Sequence, residues 1–247
     1  MQTIKYTFTG IDQKTNVSDL LELKNKSKNE VEFGILYSPK LAGQPGKYPP
    51  LVKIFDFIDI LGSNSSVHIC GVGILNIFNN MSDEIKILNM INDVEGRIQL
   101  NFNFNRCKIN KEDFFLLFNK YKKINFITQE NFNNSSFTKD SFIENHHILF
   151  DSSGGNGVLA ENWPNYIKNK YCGYAGGLGP KNIALQIIFI LGSAKGNSFW
   201  LDMESKIRSF DDNYISWFDV EKVSEVISIL NKHPIFRYRI DEKTINI

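Results

Sequence analysis

Short apolar runs alternate with stretches of helical period along almost the whole chain. Strand character is read at Thr3–Gly10, Val31–Tyr37, Val67–Gly71, Gly96–Phe104, Ile124–Thr128, His147–Asp151, Lys170–Ala175 and Ser198–Asp202. Between them, the 3.6-residue period marks helices at Val17–Lys26, with Thr15 and Asn16 as candidate caps, and at Leu51–Leu61, Ile74–Asn80, Lys111–Lys122, Ile183–Leu191 and Val220–Asn231. The unit recurs every ~30 residues, the spacing of right-handed βαβ crossovers. Eight strands in this alternation, with no Pro/Ser-rich linker, predict an α/β fold: a single-domain TIM (β/α)8 barrel over residues 1–247. The tail from about Pro234 falls outside the repeat and is expected to pack across the barrel bottom.

Period-two parity supports closure into a barrel. In the fourth strand Gln99, Asn101 and Asn103 share one face, and Leu100, Phe102 and Phe104 the other. A strand lying between a helix layer and a polar interior has this pattern. The same parity pairs Thr7 with Thr9, His68 with Cys70, and Asp202 with Glu204. Polar side chains therefore gather at the C-terminal strand ends, where barrels of this kind place their sites.

Composition narrows the function classes. With 42% hydrophobic residues and 20 Phe, the chain can bury a sizeable core. Its 28 basic and 27 acidic residues nearly cancel, and no basic block exists to bind nucleic acid or an anionic membrane. Cys70, Cys107 and Cys172 are odd in number and lack CxxC spacing, which argues against a disulfide framework or a zinc site and fits a reducing compartment. His146-His147 has no third ligand at metal spacing. Met1–Asp12 alternates polar and apolar residues where a secretory signal needs an unbroken apolar run, so a soluble, cytoplasmic protein is expected. No cofactor motif is present, and the expected partner is a small anionic molecule.

Two glycine-rich joins carry the candidate chemistry. Gly176-Gly177 lies between a strand and a helix, where bare backbone and a helix start suit a phosphate or carboxylate. A tight βα turn uses glycine in the same way, and both readings stand. One unit earlier, Asp151 ends a strand and precedes Gly154-Gly155-Asn156-Gly157. Its carboxyl at the mouth could serve as a general acid, although Asp before Ser and Gly is also common in turns. Asn131–Ser136 reads as a polar turn without chemistry, and the loop Ser38–Pro50 is longer than a plain connection requires.

Leu149-Phe-Asp151 with the following glycines and Trp163, Ala175-Gly-Gly-Leu-Gly-Pro-Lys-Asn182, and Asp202-Met-Glu-Ser205 together resemble phosphoribosylanthranilate isomerase. Ile98-Gln-Leu-Asn101 and Lys47-Tyr48 extend the resemblance into the front half. It implies a barrel that binds a phosphorylated sugar, with phosphate near Gly176, Gly177, Glu204 and Ser205 and a pocket bordered by Gly154, Gly155, Gly157, Gln99 and Asn101. It also implies an Amadori rearrangement with Asp151 as the acid. Thr9 stands where that family has its cysteine base, and a Thr hydroxyl has no accessible deprotonated form near neutral pH without a base beside it. Lys47 replaces a bidentate Arg, so an anthranilate carboxylate is not the expected ligand. Glu204 replaces a small Ser, and would repel phosphate unless protonated, metal-bridged, or paired with Lys206 or Arg208. Three functions follow as alternatives: an isomerase-like enzyme on a phosphorylated sugar, a catalytically inactive barrel kept for binding, and a lyase or epimerase using Glu204 or Cys70 as its base.

Overall fold

The computed structural model describes residues 2–104, 108–131, 134–139, 143–151 and 156–235. Eight strands close into one barrel: β1 Ile4–Thr9, β2 Glu30–Tyr37, β3 Ser65–Cys70, β4 Arg97–Asn101, β5 Asn125–Glu130, β6 His146–Phe150, β7 Cys172–Ala175 and β8 Phe199–Met203. Each pairs in parallel with the next, and β1 closes on β8 with Thr7 opposite Asp202. Around them lie α1 Val17–Lys26, α2 Leu51–Leu61, α3 Val72–Phe78, α4 Ser82–Val94, α5 Lys111–Lys120, α6 Ser135–Lys139, α7 Ile183–Ala194 and α8 Val220–Lys232. The expected (β/α)8 barrel is therefore the observed fold. No helix among the described residues is long and apolar enough to cross a membrane.

Strand parity sorts the core into two bodies. Outward-facing Tyr6, Phe8, Ile98, Leu100 and Phe126 join the buried helix faces in one large cluster. The interior holds only a small cluster of Ile127, Leu149, Ala175 and Trp200, with Tyr171 against it. Polar and charged side chains are buried there too. Glu32, fully buried, accepts hydrogen bonds from Thr7 Oγ1 at 2.9 Å and Arg97 Nη1 at 3.1 Å. The Arg97 guanidinium lies 4.1 Å from the centre of the Trp200 ring, a cation–π contact that occupies its face. Gly173 faces Trp200 in register, and a Cβ there would overlap the indole. The absent side chain is the space the plug fills.

Local sequence explains where elements differ from expectation. The helix read at Ile74–Asn80 is α3, and α4 follows it unforeseen: Asn80 takes φ 54°, which ends one helix, and Ile87, Leu88 and Ile91 bury the next. Asn16 caps α1 by accepting from Ser18 N, whereas the Thr15 hydroxyl bonds Asp12. Asn131–Ser136 is not a loose turn throughout. Asn134 is buried, donates to the carbonyls of Phe102 and Gln129, accepts from Phe104 N, and leads into α6. After β8 comes an unforeseen antiparallel ribbon, β9 Arg208–Phe210 with β10 Ser216–Phe218. Cys107 and the tail beyond Ile235 lie outside the described residues.

Overpacking of this kind typically costs ~1–3 kcal/mol. Gly173→Ala is therefore expected to lower the unfolding free energy measured by urea denaturation by that much. In a double-mutant cycle, Trp200→Leu, which vacates the space, should remove most of the penalty. Additive losses would show that the indole does not depend on Gly173.

Candidate active site

The C-terminal ends of the strands surround one cavity. Its wall includes His68 of β3, Gln99 and Asn101 of β4, Gln129 of β5, Asp151 after β6, Ala175 at the end of β7 with Gly176-Gly177 after it, and Asp202, Glu204 and Ser205 from β8 onward. Gly157, from the loop after β6, completes it. Parity places these side chains inward for the reason already given: the outward positions are consumed by the helix-facing core.

The glycine turn is fixed by geometry. Gly176 and Gly177 have φ of 115° and 64°, and a Cβ on Gly177 would lie 2.8 Å from the carbonyl oxygen of Gly157. The two glycine-rich joins thus pack backbone to backbone at the rim. Asn182 Nδ2 donates to the carbonyl of Gly177 at 2.8 Å and its Oδ1 accepts from Gly179 N at 3.0 Å, tying the turn down at the entrance to α7. The turn reading holds, since glycine is required sterically, and the backbone so placed lines the cavity.

Two carboxyls stand inside. Asp151 is buried, and its Oδ2 accepts from Gln129 Nε2 at 3.2 Å. Asp202 is buried too, and its Oδ1 accepts the Thr9 hydroxyl proton at 2.7 Å. Gly34, paired with Thr9 across β1 and β2, leaves the room that the Thr9 side chain occupies. Burial pushes the Asp202 carboxyl up to about 7. The Thr9 hydrogen bond opposes this, and the negative charges of Glu204 and Glu32 add to it. Neutral His68, pulled down to about 3 by burial and then by the charges of Arg97 and Lys47, completes the inner wall. His68 Nε2 and Gln99 Oε1 are buried without a hydrogen-bond partner among the described residues.

The cation beside Glu204 is Lys47, not Lys206 or Arg208. Lys47 Nζ reaches across from the β2–α2 loop to Glu204 Oε1 at 2.5 Å. Burial lowers the Lys47 pKa, but the Glu204 charge and hydrogen bond outweigh it and leave the ammonium raised. Arg208 is not brought to this cavity as a ligand group. Its guanidinium bonds Asp12 Oδ2 at 2.9 Å, Ser216 Oγ at 3.1 Å and the carbonyl of Gly10, fastening the β9–β10 ribbon to the end of β1. Cys70 holds its thiol proton, since burial pushes it up, and its Sγ accepts from Asn101 Nδ2 at 3.3 Å. That makes it a poor base. Gly154 and Gly155 lie outside the described residues. Trp163, part of the resembling stretch, braces the loop, donating from Nε1 to Gln186 Oε1 on α7 at 2.9 Å. Asp202 and His68 line the cavity although neither is a candidate site residue by motif role; strand parity is the signal available for both.

A carboxyl whose pKa is raised on folding contributes stability below its ordinary range and loses it as the pH rises through about 7. Asp202→Asn keeps an acceptor for Thr9 without the buried charge. Its melting temperature at pH 8 is expected to exceed that of the parent by roughly 5–10 °C, with the gap closing by pH 4. A variant less stable at pH 8 would contradict the buried-charge cost.

A scan of protein-family models finds none that matches this chain, and no curated protein matches it. Among solved structures it is similar to the monomers of dimeric phosphoribosylanthranilate isomerase from Thermotoga maritima, at 16% identity and TM-score 0.57 over 94% of this chain and 100% of that one. It is also similar to a cube-shaped, highly porous protein cage designed by fusing symmetric oligomeric domains, at 10% identity and TM-score 0.51 over 98% of this chain and 77% of that one. At these identities the likeness is one of fold, and it agrees with the closure of eight parallel strands: the chain is a (β/α)8 barrel built like that of phosphoribosylanthranilate isomerase.

Proposed function

We propose that the cavity binds a small anionic sugar, of which a phosphorylated aldose is the best case, and isomerises it by acid–base chemistry between two carboxyls. The observation that carries this reading is the pair of orphaned polar atoms, His68 Nε2 and Gln99 Oε1, on residues that wall a cavity also holding Asp151 and Asp202. A buried polar atom without a partner costs ~1–3 kcal/mol. A ligand rich in hydroxyls removes that cost by supplying donors and acceptors. The anionic end belongs at the rim, where Gly157, Gly176, Gly177 and Ser205 offer backbone and a hydroxyl in place of bulky side chains.

Lys47 does not supply free positive charge here, because Glu204 neutralises it. An anthranilate carboxylate finds no fork of guanidinium donors in its place, which argues against phosphoribosylanthranilate as the substrate. Lyase or epimerase chemistry through Cys70 or Glu204 is disfavoured by the protonated thiol and by the Lys47 pair. The Thr9 substitution favours a second reading, a barrel that binds the same ligand without turning it over.

Calorimetric titration with ribose 5-phosphate, ribose and inorganic phosphate tests the proposal. The sugar phosphate is expected to bind at least ~10-fold more tightly than either fragment. Ser205→Asp, which places a negative charge on an exposed rim position, should reduce its affinity by ~10-fold or more while leaving the melting temperature nearly unchanged. Equal binding of ribose and ribose 5-phosphate would rule out an anion site, and no binding at millimolar concentration would rule out the reading altogether.

A further inference from the structure

We infer that the starts of α7 and α8 enclose a second binding site, for a flat ring bearing a phosphate group. A hollow of about 530 Å³ opens there, walled by the turn ahead of α7, the turn after β8, the strand β9 and the first turns of α8. Small-molecule pockets span ~300–1,000 Å³, so this one admits a ring and a phosphate together. Among the described residues it shares only Ser205 with the cavity at the strand ends. It therefore stands apart from that cavity and does not depend on the sugar reading of it.

Close contacts hold the wall in place. Gly179 has no Cβ, and one there would lie 2.5 Å from the Cβ of Lys206, so the turn before α7 packs directly on the turn after β8. Asn182 ties the first of these turns through Gly177 and Gly179. Arg208, buried and bonded to Asp12, Gly10 and Ser216, roots the ribbon on which Phe210 stands. Lys222 Nζ donates to the Arg208 carbonyl at 2.7 Å and joins α8 to the same ribbon.

The residues so held are cationic and aromatic. Lys181 and Lys206 are exposed and have no hydrogen-bond or ion-pair partner among the described residues. Lys222 adds a third ammonium, 3.9 Å from Asp219, and Glu225 is the single carboxylate among the described residues of the wall. The Arg208 charge is already answered by Asp12. A surplus of positive charge remains, and it suits a phosphate. Exposed lysines alone hold any anion weakly, so selectivity has to come from elsewhere. Phe210 supplies it: the side chain is 61% exposed, a large apolar ring on a three-residue strand. With Pro180 it gives the hollow an apolar side on which a flat ring stacks while its phosphate meets the ammonium groups. A nucleotide and an aryl phosphate share this chemistry.

Calorimetric titration of the full chain with phenyl phosphate, adenosine 5′-monophosphate, phenol and inorganic phosphate tests the site. Phenyl phosphate carries no sugar to enter the other cavity. At least one ring phosphate is expected to bind ~10-fold or more tightly than phenol or phosphate, and the one that loses most in Phe210→Ala names the source. That loss should be ~10-fold, with Phe210→Tyr restoring affinity, and Lys181→Gln combined with Lys206→Gln should cost a similar factor. All three positions are exposed, so melting temperature and ribose 5-phosphate affinity should hold in every variant. Ring phosphates that bind no better than inorganic phosphate, or an affinity indifferent to these substitutions, would overturn the inference and leave the sugar reading untouched. Loss of ribose 5-phosphate binding in the same variants would make the two sites one, and would overturn it as well.

Discussion

A closed barrel of eight parallel strands must fill its own middle, and here Trp200 does most of that. The indole lies where Gly173 leaves no side chain, and Arg97 covers its face while holding Glu32 in a fully buried ion pair. Such a pair contributes little net stability, because desolvating two charges offsets their attraction. Breaking it is another matter, since one buried charge would be left alone. The plug fills the interior at that level, and polar side chains towards the C-terminal strand ends line the cavity.

That lining determines the electrostatics of the mouth. Asp202 stands two residues beyond Trp200 on the same strand face, buried and lining the cavity. Its proton affinity follows from that position, with Glu204 and Glu32 adding to it and Thr9 opposing. Lys47 limits the contribution of Glu204 by pairing with it from the β2–α2 loop, on the other side of β1. The same pair joins the long β2–α2 loop to the β8 side, so the loop length that stood out in the sequence has a mechanical consequence. The orphaned atoms of His68 and Gln99 belong to the same layer.

Much of this was legible in the residue pattern, and what was not shares one property. The eight strands, most helices and the inward set of Thr9, Gln99, Asp151 and Asp202 follow from periods of two and 3.6, which are local. The partners of charged groups are not local. Arg208 finds Asp12 across 196 residues and Lys47 finds Glu204 across 157, so neither pairing could be read from spacing. The β9–β10 ribbon escaped because three-residue strands carry too little alternation to register. Helix α4 escaped because its period follows α3 directly, with only the turn at Asn80 between them. The role of Asp202 was hidden for a further reason. Its residue type and parity were visible, but its proton affinity depends on what surrounds it.

One quantity decides the chemistry of the mouth: the pH at which the Asp202 carboxyl gives up its proton in the ligand-free protein. Carbon-13 NMR of side-chain carboxyls, with Asp202 assigned by its absence in Asp202→Asn, measures it directly. The account requires a midpoint close to 7. A midpoint near 4, the ordinary range of an aspartate, would mean that burial and the neighbouring charges do not hold the proton on Asp202, and that it offers no acid to the cavity near neutral pH.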